Sequence, residues 1–234
     1  MDDLLTYPRR RLLSGLATAA VAAAAGLLLA GFTGGPGHAA AHSEATAVAA
    51  SKKVSGKELR LHDRMRKLWE DHIVWTRMAI VSFAADGPDL QPTLDRLLRN
   101  QEDIGDAFKA FYGNKAGNRL TALLKQHING AVDVLVAANS GDQQAFNQAK
   151  QAWYENGRKI ADFLHRLNPP NWGRHEMRSM MRTHLDQTLA EAADRLAGDY
   201  AADIRDYDAI HRHILKMADE LSGGIVAQFP RRFG

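Results

Sequence analysis

From about Lys57 onward, apolar residues recur at every third and fourth position. Leu61, Met65, Leu68, Trp69, His72, Trp75, Thr76, Ala79 and Phe83 form such a stripe, the spacing that collects side chains on one face of a helix. No stretch sustains alternation of apolar and polar residues, so the pattern predicts an all-α fold without sheet. Interruptions fall at Asp86-Gly87-Pro88, Tyr112-Gly113-Asn114, Ser140-Gly141-Asp142, Asn168-Pro169-Pro170-Asn171, Ala197-Gly198-Asp199 and Ser222-Gly223-Gly224. These residue types stop helices and make turns. They predict six helices, over 57–84, 91–111, 117–139, 143–167, 174–197 and 200–222. Short connections make successive helices antiparallel neighbours. The expected architecture is a six-helix up-down bundle built from three helical hairpins.

A repeat supports the hairpins. Leu68-Trp69-Glu70-Asp71-His72-Ile73 is matched by Leu123-Leu124-Lys125-Gln126-His127-Ile128, and again by Met180-Met181-Arg182-Thr183-His184-Leu185. Each histidine is followed 14 or 15 residues later by a turn glycine: Gly87, Gly141 and Gly198. In the returning helices Asn100, Ile104 and Asp106 parallel Asn156, Ile160 and Asp162, whereas the third unit keeps Tyr207-Asp208 and loses the Asn.

The N-terminus has another character. Arg9-Arg10-Arg11-Leu12-Leu13 resembles a twin-arginine export motif, an apolar stretch runs from Leu16 to Phe32, and Ala39-Ala40-Ala41 fits a signal-peptidase site. Residues 1–41 are expected to be a signal peptide, 42–56 a flexible linker and 57–234 the bundle. The expected location is outside the cytoplasm, in the cell envelope or medium. Membrane contact is expected only through this segment during export.

Composition narrows the function. Net charge is +3 over 234 residues, and basic residues are interspersed with acidic ones. No polybasic stripe exists to neutralise phosphates, which argues against nucleic acid as a partner. There is no cysteine, which removes disulfides, thiolate metal sites and c-type haem attachment. Gly-x-Ser-x-Gly, the phosphate-binding loop and the dinucleotide fingerprint are absent from the sequence. A self-associating bundle is compatible with all of this.

The candidate chemistry lies in the three matched histidines. They fall on apolar faces of the first, third and fifth expected helices, which run in one direction, so they should share a level in the bundle. A buried imidazole needs a hydrogen bond, a carboxylate or a metal. Glu191, two turns after His184 on the same face, and Asp208 are the carboxylates at hand. His72, His127, His184, Glu191 and Asp208 are therefore the candidate ligands of a transition metal (Zn, Fe, Mn or Cu), with haem held by two histidines as a variant. Arg77 reads as a surface arginine or a partner of Asp103. His211 is expected to face the core and His213 the solvent. Two other readings compete: a non-catalytic envelope bundle that binds a partner, and a small-molecule sensor with a pocket lined by Trp75, Tyr207 and Arg77.

The segments from Leu68 to Ile80 (LWEDHIVWTRMAI) and from Tyr207 to Asp219 (YDAIHRHILKMAD), with Trp153-Tyr154-Glu155-Asn156, resemble a family of small helical bacterial proteins. Its members carry genome labels such as glycosyltransferase or acetylglutamate kinase, which nothing in this sequence supports. The resemblance covers most of residues 60–230. It implies a helical fold and weight on Glu70, His72, Trp75, Arg77, His127, Trp153, Asn156, His184, Glu191, Tyr207 and Asp208, but no reaction.

Overall fold

A computed structural model describes residues 54–234; the expected signal peptide and linker residues 42–53 lie outside the described residues. Five α-helices follow: α1 Gly56–Ala84, α2 Leu90–Ser140, α3 Gln143–Leu167, α4 Arg174–Ala197 and α5 Tyr200–Gln228, closed by a 3-10 turn at Pro230–Arg232. No strand occurs among the described residues. None of their helices is long and apolar enough to cross a membrane.

The helix boundaries have local causes. Ser55 caps α1: its hydroxyl accepts from the Glu58 amide at 3.2 Å, and the Glu58 carboxylate accepts from the Ser55 amide at 2.9 Å. This reciprocal box satisfies two of the free amides at the helix start. Asp142 caps α3 in a similar way, accepting from Gln144 and Ala145. Gly141 and Gly198 end α2 and α4 at φ 74° and 79°, the left-handed backbone in which a Cβ is penalised.

Two expectations need correction. The gap expected between the helices over 91–111 and 117–139 is absent: the two run together as the arms of α2, joined at a kink. That element is interrupted at Gly113, whose φ 78° and ψ 168° are not helical, and it doubles back there. A Cβ on Gly105 would lie 2.9 Å from the Gly117 carbonyl oxygen, an approach that twelve residues of straight helix would forbid. The second correction concerns Ser222-Gly223-Gly224, which does not stop α5; the helix runs on to Gln228. The glycine there serves packing. The fully buried Trp172 indole lies over α5 and donates to the Glu220 carbonyl at 3.2 Å, while Asn168 donates to the Gly224 carbonyl at 2.8 Å.

A Cβ on Gly224 would overlap the Trp172 ring, whereas one on Gly223 meets nothing within 4 Å. Gly224→Ala is therefore expected to destabilise by about 1–3 kcal/mol despite its better helix propensity, and Gly223→Ala to stabilise by about 0.5–1 kcal/mol. Urea midpoints of the two variants check this; equal signs would contradict the packing account.

Helix α1 packs against α2, α4 and α5, and α3 packs against α2 and α4. The core between them includes Met65, Trp69, Ile104, Phe108, Leu120, Leu124, Ile160, Leu185, Ile210 and Ile214.

Candidate functional site

The three matched histidines meet inside the bundle. His72, His127 and His184 are each at most 3% exposed. The ring centroids of His72 and His184 are 5.6 Å apart, and those of His127 and His184 5.9 Å. His184 is thus the shared member of a row of imidazoles drawn from α1, α2 and α4. Trp69 meets His72 edge-on at 5.8 Å, and Trp153 stacks on His127 at 5.3 Å.

Each histidine sits in the same helical frame. Asn100 donates to the Leu68 carbonyl at 3.0 Å, and Asn156 to the Leu123 carbonyl at 3.2 Å. In the third unit His213 Nε2 lies 2.9 Å from the Met180 carbonyl. Each accepting carbonyl is four residues before the histidine. His213 is therefore the counterpart of the missing Asn, and it is half-buried rather than solvated. The carbonyl of each histidine is also bonded: His72 O accepts from Thr76 at 2.7 Å, His127 O from the Trp153 indole at 3.1 Å, and His184 O from Thr188 at 2.9 Å.

The rings themselves are held unequally. Asn156 gives its amide nitrogen to Leu123, so its Oδ1 faces His127 Nδ1 at 3.2 Å and accepts that ring's proton. His127 Nε2 then carries a lone pair. Gln101 points Nε2 at the Leu97 carbonyl, at Asn100 Oδ1 and, at 3.3 Å, at His72 Nδ1. The third unit has no such partner, because His213 is committed to Met180. His184 Nδ1 and Gln101 Oε1 are both buried with no hydrogen-bond partner.

Burial keeps the three rings neutral. It pushes His72 down to about 3, helped by His127 and opposed by the Gln101 bond. Burial pushes His127 down to about 4, against the Asn156 bond. His184 is held well below the ordinary histidine range by burial first, then by His72, His127 and His213. Neutral imidazole is the form that ligates a metal.

The candidate carboxylates are not part of this layer. Glu191 and Asp203, both buried, bind Arg77: Nη1 reaches Glu191 Oε1 at 2.8 Å and Asp203 Oδ1 at 2.7 Å, and Nη2 reaches Asp203 Oδ2 at 3.1 Å. Seven residues of helix place Glu191 about 10 Å along the axis from His184. Asp208 is exposed. Arg77 is thus a cross-helix anchor paired with Glu191 and Asp203, not a partner of Asp103; Tyr207 covers it at 4.7 Å. His211 meets Glu70 at 2.9 Å. The sequence reading omits Asp203 and Gln101 and places His213 in the solvent. The signal for the last two was present: Gln101, Asn156 and His213 all stand 29 residues after their histidine.

Among the described residues no group of three or more His, Asp or Glu side chains is arranged to hold a metal ion. Metal–nitrogen bonds of about 2.0–2.1 Å put two imidazole centroids on a shared tetrahedral ion roughly 5.2 Å apart. The two observed spacings, 5.6 and 5.9 Å, are longer than this, and both involve His184. The His127 ring has an amide oxygen behind Nδ1, the kind of outer partner that orients ligating histidines. No protein-family model, curated protein or solved structure matches this chain, so its chemistry is argued from this geometry alone.

Proposed function

We propose that the protein is an exported helical bundle that binds one transition-metal ion at the layer of His72, His127 and His184. The observation that carries this reading is the row of three neutral, buried imidazoles whose middle member has an unpartnered ring nitrogen. His127 Nε2 and His184 Nδ1 offer donor atoms with no competing partner, and His72 completes the row. The donor set is nitrogen only, because Glu191 is held by Arg77 and Asp208 is on the surface. Imidazole without carboxylate favours Zn and Cu over Mn. Three hairpins of one plan, each delivering one histidine, give the layer its construction.

Metal removed and returned is the test. Full-length protein prepared without an affinity histidine tag is stripped with chelator and titrated with Zn, Cu, Fe or Mn. One equivalent of Zn or Cu is expected to raise Tm by about 5–10 °C at a hundredfold excess over Kd. His184→Leu should abolish this gain. Without metal the same variant should equal or exceed the parent in stability, because it removes a buried nitrogen whose lack of a partner costs about 1–3 kcal/mol. No stoichiometric metal and no gain in Tm with any of the four ions would sink the proposal. A Soret band would assign haem instead.

A further inference from the structure

One turn beyond the histidine layer the core is not filled. A cavity of about 300 Å³ lies between the C-terminal halves of α1 and α4, the second arm of α2, and the first turns of α2 and α3. Well-packed interiors hold few voids larger than a water molecule. This void arises where the facing residues are small: Ala79, Ala131, Ala138, Ala192 and Ala193 line it beside Ile80, Leu97 and Trp153. The sensor pocket expected among Trp75, Tyr207 and Arg77 is not this cavity, since none of the three lines it.

We propose that this cavity is a binding site for one small, uncharged, hydrocarbon-rich molecule. The lining holds no charged side chain, and Thr76 and Thr188 are its only hydroxyl residues. Both have already given their hydrogens to the carbonyls of His72 and His184. The wall therefore has no donor for an anion and no carboxylate for a cation, and a charged guest would be desolvated without compensation. A dry apolar void takes hydrocarbon instead, as engineered cavities lined by Leu, Ile and Phe take benzene. At protein packing density 300 Å³ accommodates about a dozen carbon atoms. Half-buried Phe83, Leu135 and Leu196 complete an apolar wall that makes entry cheap. The site stands whether or not the histidine layer holds a metal.

Trp153 supplies the readout, because it is the one tryptophan among the cavity's lining residues. Full-length protein is titrated with n-decanol, with decanoate and with naphthalene, following tryptophan emission and calorimetric heat. Saturable one-to-one binding of decanol and naphthalene is expected, with decanoate at least tenfold weaker. Ala192→Leu and Ala131→Leu each fill the cavity and should weaken decanol at least tenfold while raising Tm. Two substitutions at separate walls guard against one that merely misfolds. Absence of saturable binding to the parent protein overturns the proposal. So does decanoate binding as tightly as decanol, or full binding retained in both folded variants.

Discussion

Metal-free protein is expected to unfold in acid between about pH 5.5 and 4, taking up protons on its histidines as it does. In the folded chain His72 titrates near 3 and His127 near 4, and His184 lies well below its ordinary value. The unfolded chain titrates all three near 6.5. Their neutral burial is harmless above pH 6.5. Below it, the unfolded state binds protons that the native state refuses, and stability falls by about 1.4 kcal/mol per histidine per pH unit. His72 and His127 over two units amount to roughly 5 kcal/mol by pH 4.5, and His184 adds to this in the same direction. Glu191 works the other way. Burial, only partly offset by Arg77, pushes it up to about 7, so the native state gains stability as pH falls from 7 toward its unfolded value, by roughly 3 kcal/mol. His72 and His127 thus outweigh Glu191 by about 2 kcal/mol and His184 adds its own share, a large part of a domain's stability of about 5–15 kcal/mol. Circular dichroism against pH, with the proton uptake of urea unfolding at pH 5 and 7, measures it. His127→Leu and His184→Leu should each move the acid midpoint downward. A midpoint below pH 3.5, or one unmoved by both substitutions, would show that these rings are not the titrating groups.

The same residues show what sequence reading can and cannot reach. Helix ends were legible because their causes are local: Asp142 and Gly198 act on backbone atoms within a turn of themselves. The meeting of the three histidines was legible because a repeat fixes both height and face, and symmetry does the work of a contact map. Gly224 misled because a glycine that ends a helix and one that admits an indole look alike, and Trp172 lies 52 residues away. Arg77 misled for a similar reason. Its carboxylates are 114 and 126 residues distant, and 27 acidic residues offer too many candidates. Asp208 was chosen for its neighbour Tyr207, but it is Asp203, one turn earlier, that turns inward. The cavity left no trace, since an absence of side-chain volume is a property of α1, α2, α3 and α4 together.

Replacing Arg77 by Met is expected to cost about 3–5 kcal/mol at pH 8, the usual penalty for leaving buried charge without its partner. Glu191 and Asp203 are each at most 1% exposed, and the second cation near them, Arg195, reaches only Asp203 Oδ2 at 3.5 Å. Glu191 Oε2 has no partner even in the parent. Without the guanidinium, Glu191 escapes its cost by keeping a proton, which is easy at pH 5 and expensive at pH 8. The loss should therefore shrink as pH falls, and Arg77→Met combined with Glu191→Gln should recover part of it at pH 8. Met keeps much of the apolar stem, so lost packing contributes little and does so equally at both pH values. Urea unfolding of the single and double variants at pH 5.5 and 8 separates these terms. A loss under 1 kcal/mol at pH 8 would mean that α1, α4 and α5 are joined by packing alone. If the cluster is the clamp, the variant should also lose decanol affinity. Ala79, Ile80 and Ala192 of the cavity wall lie within three residues of Arg77 or Glu191, and a wall that moves no longer closes around a guest.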